Sequence, residues 1–186
     1  MNYIAIASSS KVTLMSSSCG LSLSATRDIA LGEVVLPLFG EPIAKPSRYS
    51  IQIGENLHLE GPPESPTNYI NHSCNPSCYI NWSSMSFVSL SQISAGEAIT
   101  YHYCTSEWDM KEKFRCRCGS ESCLGTINGA KYLKPKDLET ISPYLSPFLL
   151  SKISIASMTP DNPRPFSVEH RHQPSTYTPT GDGNGD

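Results

Sequence analysis

The 186 residues suffice for one domain of ordinary size, about 100–200 residues, and not comfortably for two. With hydrophobic residues at 38%, charged residues at 17%, 15 prolines and 12 glycines, the composition excludes coiled coils and helical bundles and favours short strands and turns. Fourteen Lys plus Arg against seventeen Asp plus Glu leave a net charge of -3, so there is no summed positive field for a phosphate backbone, and direct nucleic-acid binding is disfavoured.

Residues 1–10 read as an N-terminal extension. The acid-free, serine-rich stretch 1–27 faintly resembles a transit peptide, but strand-like material from Lys11 leaves too little to cleave. Strands are predicted over Lys11–Leu14, Val34–Phe39, Tyr49–Ile53, Asn56–Leu59 and Ser86–Leu90, most bounded by Gly, Pro, Ser or Asn. Leu59–Asn68, with three prolines and one glycine, is a loop, and the following "YINHSCNPSCYINW" is too polar and interrupted for a core strand. Leu138, Ile141, Leu145 and Leu149 have helical spacing, although Pro143 and Pro147 restrict residues 134–158 to short helical pieces. Residues 159–186 lack apolar periodicity and are expected to be a disordered tail. No stretch approaches the ~20 consecutive apolar residues of a membrane span, so a soluble protein with no membrane partner is expected.

The chemistry concentrates in the cysteines. Seven thiols, an odd number without a secretory leader, argue against a disulfide framework and for reduced thiols, some of them on a metal. Cys116, Cys118 and Cys123 fall within eight residues and can fill three corners of a tetrahedral zinc site. The fourth ligand is open among Cys74, Cys78, Cys104 and a histidine, with the unusual "NHSC" segment favouring Cys74. A cysteine hydrolase built on His72 and Cys74 is a poor reading, because residues two apart in a loop rarely face each other and no oxyanion-hole signal follows.

"NYINHSCNPSC" (Asn68–Cys78), "GEAITYHY" (Gly96–Tyr103) and "CRCGSESC" (Cys116–Cys123), in that order, resemble signatures of SET-domain protein lysine methyltransferases. The last is similar to their post-SET zinc segment, and "GLSLSATRDIALGEVV" (Gly20–Val35) resembles their cofactor-contacting N-terminal stretch. The resemblance implies a mostly β fold of small curved sheets with a pseudoknot, an exception to the usual unknotted topology. It implies a SET domain over 11–110 and a post-SET zinc segment over 111–133. It also implies an S-adenosylmethionine-dependent protein-lysine N-methyltransferase acting on a histone or non-histone protein. Tyr103 takes the catalytic position and Tyr101 the position associated with product degree, where a tyrosine favours mono- or dimethylation. Gly20, Leu21, Asn71, His72 and Leu124 fall where the family contacts the cofactor, and Cys74 joins Cys116, Cys118 and Cys123 on zinc. Cys19, Cys78 and Cys104 are left as ordinary buried or half-buried thiols.

Ser22, Ser77, Asn68 and His102 depart from the family pattern, where Gly, Asn, Arg and Asp or Asn are usual. Ser22, Ser77 and His102 motivate a rival expectation, a zinc-stabilised SET-like interaction module with weak or no turnover. A weaker third expectation is a zinc-binding interaction domain unrelated to methylation. The compartment is expected to be intracellular, nuclear or cytoplasmic, without a choice between them.

Overall fold

A computed structural model describes residues 11–17 and 20–157. The N-terminal extension 1–10, Cys19 and the expected disordered tail 159–186 lie outside these residues. In chain order the strands are β1 (Val12–Ser17), β2 (Gly20–Ala25), β3 (Val34–Pro37), β4 (Glu41–Ile43), β5 (Ile51–Gly54), β6 (Leu57–Glu60), β7 (Asn71–His72), β8 (Cys78–Asn81), β9 (Ser86–Ser89), β10 (Thr100–Tyr101), β11 (Phe114–Arg115) and β12 (Thr126–Ile127). Two helices follow, α1 (Pro135–Ile141) and α2 (Pro147–Ser157). The fold is mostly β, in small sheets: β1 with β2, β3-β9-β8, β4-β6-β5, β7 with β10, and β11 with β12.

Period-two patterning explains the sheets. Alternate side chains of a strand face opposite sides, so Val12, Leu23 and Ala25 of the β1–β2 pair turn inward. The central strand β9 is buried along its whole length and carries Phe87 and Val88 between two buried serines. The polar segment after residue 68 differs from expectation, since Cys78–Asn81 is a strand. Its alternation buries Cys78 and Ile80 while Tyr79 and Asn81 stay half-buried, so polarity on one face masks a core-facing strand.

Two buried clusters form. One joins Leu23, Ile29, Val35, Ile80, Phe87, Ile99 and Tyr101 across the N-terminal sheets. The other joins Cys104, Cys116 and Ile127 to Ile141, Leu145, Leu149 and Ile153 of the helical extension. Pro147 opens α2, where its missing N–H costs no helical hydrogen bond, and a 3-10 turn over Ser142–Tyr144 separates the two helices. Tyr103 packs against both clusters, at their seam.

Gly129 closes the junction at φ 115°, a left-handed conformation that disfavours side chains. A Cβ there would stand 2.4 Å from the Trp108 carbonyl oxygen. That close approach lets the Ala130 N–H donate to the Glu107 carbonyl at 2.8 Å and the Lys131 N–H to that of Trp108 at 3.0 Å. No helix among the described residues is long and apolar enough to cross a membrane.

Candidate active site and thiol cluster

The "NHSC" and "ITYHY" segments meet because β7 and β10 pair in parallel, Asn71 opposite Thr100 and His72 opposite Tyr101. Ser77 braces this pairing: its hydroxyl accepts from the Thr100 N–H at 2.9 Å and donates to the Ala98 carbonyl at 3.1 Å. The serine therefore satisfies the Thr100 N–H of β10 and the Ala98 carbonyl just before that strand. Asn71 donates its side-chain N–H to the Leu21 carbonyl at 3.0 Å, tying β7 to β2.

His72 Nδ1 accepts the Tyr103 backbone N–H at 3.1 Å, and Nε2 lies 3.3 Å from Cys74 Sγ. Burial, followed by the neighbouring His102, pushes the His72 imidazole down to about 3, so the ring is neutral and Nδ1 is free to accept. His102 packs edge-on to it with ring centroids 4.8 Å apart, is lowered to about 4 by burial, and has a buried Nδ1 without a partner among the described residues.

The Tyr103 hydroxyl donates to the Ile70 carbonyl at 2.9 Å. Its ring stands 4.8 Å from Tyr101, 5.3 Å from His72 and 6.0 Å from Phe114, centroid to centroid. Tyr101 also packs edge-on against Phe87 at 5.4 Å. Burial raises both phenols well above the ordinary tyrosine range, which keeps both protonated as donors.

Tyr101, Tyr103, Asn71, His72 and Leu21 share one cavity of about 550 Å³, within the ~300–1,000 Å³ of small-molecule sites. Gly20 and Leu124 do not line it. Gly20 opens β2 at φ 108° with open space where a Cβ would be, so the backbone conformation rather than crowding calls for glycine there. Leu124 is half-buried beside the thiols, its N–H donating to Cys74 Sγ at 3.4 Å.

Sequence reasoning missed Phe114 and Glu107, which line the same cavity. Phe114 stacks edge-on to His72 with centroids 5.8 Å apart. The Glu107 carboxyl accepts the Gln52 N–H at 2.8 Å, and burial raises it to about 7. An acid four residues beyond Tyr103, in the otherwise uncharged run "YCTSEW", was the available signal.

The structure brings the four expected metal-binding thiols together. The Sγ atoms of Cys74, Cys116, Cys118 and Cys123 all lie within 4.8 Å of one another, and those of Cys74 and Cys116 are 3.9 Å apart. A zinc tetrahedron with Zn–S of about 2.3 Å has sulfur–sulfur edges of about 3.8 Å, so the donor set and its spacing fit. Burial raises Cys74 and Cys116. At Cys118 burial acts in the same sense, but hydrogen bonds from the Cys74 and Ser120 backbones and the neighbouring thiols prevail and lower it to about 6. His72, Cys74 and His102 form a second close group sharing Cys74, yet Nδ1 of His72 is already engaged by Tyr103. Cys78 and Cys104 are fully buried elsewhere.

The model of the SET domain matches residues 20–104, and the chain carries a SET domain there. Methyltransferase flvH of Aspergillus flavus is 34% identical over 116 residues, covering 60% of this chain and 64% of that protein. Histone-lysine N-methyltransferase trithorax of Drosophila virilis is 32% identical over 130 residues, covering 59% of this chain and 3% of that protein. The chain thus spans less than two thirds of either relative. The crystal structure of KRYPTONITE in complex with mCHG DNA and SAH superposes with a TM-score of 0.52 at 20% identity, over 62% of this chain and 28% of that one. At that identity the likeness is one of fold.

Proposed function

We propose that the protein is an S-adenosylmethionine-dependent protein-lysine N-methyltransferase that adds one or two methyl groups to a histone or non-histone protein. The observation that carries this is the convergence of Tyr101, Tyr103, Asn71 and His72 on one cavity, within a SET domain whose relatives are named as methyltransferases.

Leu21, Asn71 and His72 would hold the methyl donor, with Gly20 and Leu124 contributing from beside the cavity. When bound, S-adenosylmethionine supplies an already activated sulfonium methyl, so the protein has to orient and deprotonate the acceptor rather than activate the donor. An acceptor lysine has an ordinary pKa of about 10.4 and must lose a proton before it can react. Tyr103 and Tyr101, both protonated, present hydroxyls that align the amine, and their rings exclude water from it. The hydroxyl of Tyr101 narrows the space around an already methylated nitrogen and so favours low product degree.

Cys74, Cys116, Cys118 and Cys123 would hold a zinc ion, whose role would be structural, clamping the post-SET segment 111–133 onto the "NHSC" turn. Incubation with isotope-labelled cofactor and a proteome extract, followed by mapping of acceptor residues, tests the reading. Label on protein lysines supports it. Cofactor binding without transfer to any protein refutes it in favour of the interaction module without turnover.

A further inference from the structure

Glu107 does a structural job that does not require its charge. Its Oε1 accepts the Gln52 N–H at 2.8 Å and the Ser106 hydroxyl at 3.4 Å, while Gln52 Oε1 accepts the Trp108 N–H at 2.9 Å. These bonds fasten β5 to the segment after Tyr103, and a glutamine at 107 could make them equally well. The second carboxyl oxygen accepts no bond among the described residues.

The side chain lines the cavity together with both tyrosines. Its hydrogen-bond partners Gln52 and Ser106 carry no charge, and the titratable groups that feel its charge, Tyr101, Tyr103 and Cys104, are all neutral at physiological pH because burial raises each of them. Three cations share the cavity wall, Arg48, Lys111 and Lys113, with Glu112 between the lysines. None forms an ion pair with Glu107 among the described residues, and Lys113 is paired to Asp109 at 3.0 Å. A carboxylate withdrawn from water without a cation is costly. Its position is therefore that of a counter-ion for something that enters.

We infer that the cavity receives its acceptor nitrogen as an ammonium ion and that Glu107 is the group that recognises this cation and takes a proton from it. In the proton step one N–H bond breaks and its electron pair stays on nitrogen as the lone pair of a neutral amine. An O–H bond forms on the Glu107 carboxyl, which later returns the proton to solvent at the cavity mouth. Burial raises this carboxyl to about 7, so at neutral pH it is present both as the anion that attracts the cation and as the acid that forms after the step. Its catalytic consequence rests on the methyl-transfer reading above; its recognition of a cation does not.

The test uses n-butylammonium as a probe for a lysine side chain, with the full chain carrying carboxyl-¹³C glutamate, and reads the Glu107 resonance, assigned by its loss in Glu107→Gln. The expected results are a Glu107 titration midpoint that falls when the probe is added and at least tenfold weaker probe binding in Glu107→Gln, with uncharged 1-pentanol indifferent to the substitution. A Glu107 resonance that ignores the probe in the wild type, or equal binding in wild type and Glu107→Gln, would overturn the inference. With a lysine peptide and cofactor, transfer by the wild type should rise with pH through about 7 and lose that step in Glu107→Gln; retention of the step in that variant would also overturn it. A wild type that binds butylammonium through Glu107 yet methylates no protein would sink the proposed function and leave this inference standing.

Discussion

Replacing Glu107 with glutamine should stabilise the fold at neutral and alkaline pH and leave it unchanged in acid. The carboxyl sits at about 7 instead of its ordinary 4.5, chiefly because burial penalises its charged form. Between those two values the folded chain holds a proton at residue 107 that the unfolded chain has released. Folding stability therefore falls as pH rises through this window, and the penalty is complete above about 7. At about 1.36 kcal/mol per pH unit the full penalty is about 3 kcal/mol, and contact with cavity water reduces the measurable value to about 1–3 kcal/mol. Glutamine keeps the acceptor for the Gln52 N–H and does not titrate. Urea unfolding of both proteins at matched points from acid to alkaline pH isolates the effect, because thiols, histidines and any bound metal contribute equally to both and cancel in the difference. The advantage of Glu107→Gln should grow from near zero in acid to its plateau above neutrality. A difference that stays constant across the window would refute the argument that a buried charge is being carried at this position.

Tyr103→Phe removes the hydroxyl that donates to the Ile70 carbonyl at 2.9 Å. It should cost about 1 kcal/mol of stability and retain cofactor binding, while single-turnover transfer falls on the order of 10²-fold or more; wild-type turnover in this variant would make the tyrosine a packing residue. Tyr101→Phe should raise the share of higher methylation states seen by mass spectrometry at long reaction times, the wild type giving mainly monomethyl-lysine, and a predominantly trimethylated wild-type product would contradict this. Elemental analysis of protein purified under reducing conditions should find about one zinc per chain, and Cys118→Ser should lower both the zinc content and the thermal midpoint. Metal near zero in the wild type, with stability unaffected by that substitution, would remove the clamp.

Local patterning made much of this fold legible. Alternation and turn residues located β3, β5, β6 and β9 to within a few residues, and Pro143 and Pro147 marked the break between α1 and α2. The thiol set was legible because three of its members crowd into eight residues. What escaped depends on partners distant in sequence. The two-residue strands β7 and β10 have no pattern of their own and exist because each supplies the other's backbone bonds across 29 positions. The register of β8 was hidden by polar residues on its outer face. Glu107 reads as an ordinary surface acid until β5 brings Gln52 against it, 55 positions away in sequence, and Gly129 fits against Trp108 only after the chain has turned back on itself. In each case the missing information is a contact, which spacing along the chain does not carry.

The placement of Tyr103 explains why the thiol cluster and the cavity belong to one device. Its ring packs against both buried clusters, so its orientation is fixed only when the two are docked. The C-terminal cluster is joined to the "NHSC" turn through Cys74, whose Sγ meets the Cys116 thiol at 3.9 Å and the Leu124 N–H at 3.4 Å. Two residues before Cys116, Phe114 closes the cavity against His72 and Tyr103. Two residues before Cys74, His72 holds the Tyr103 backbone through Nδ1. A metal ion gripping the four thiols would therefore fix, through these two-residue levers, the aromatic wall on one side of the cavity and the backbone that carries the tyrosine on the other. Such a metal would act by geometry, holding the phenol and the cavity wall in one arrangement. Because binding free energies are reciprocal, occupancy of the cavity by a ligand that favours the docked arrangement must in turn tighten the thiol cluster on its ion.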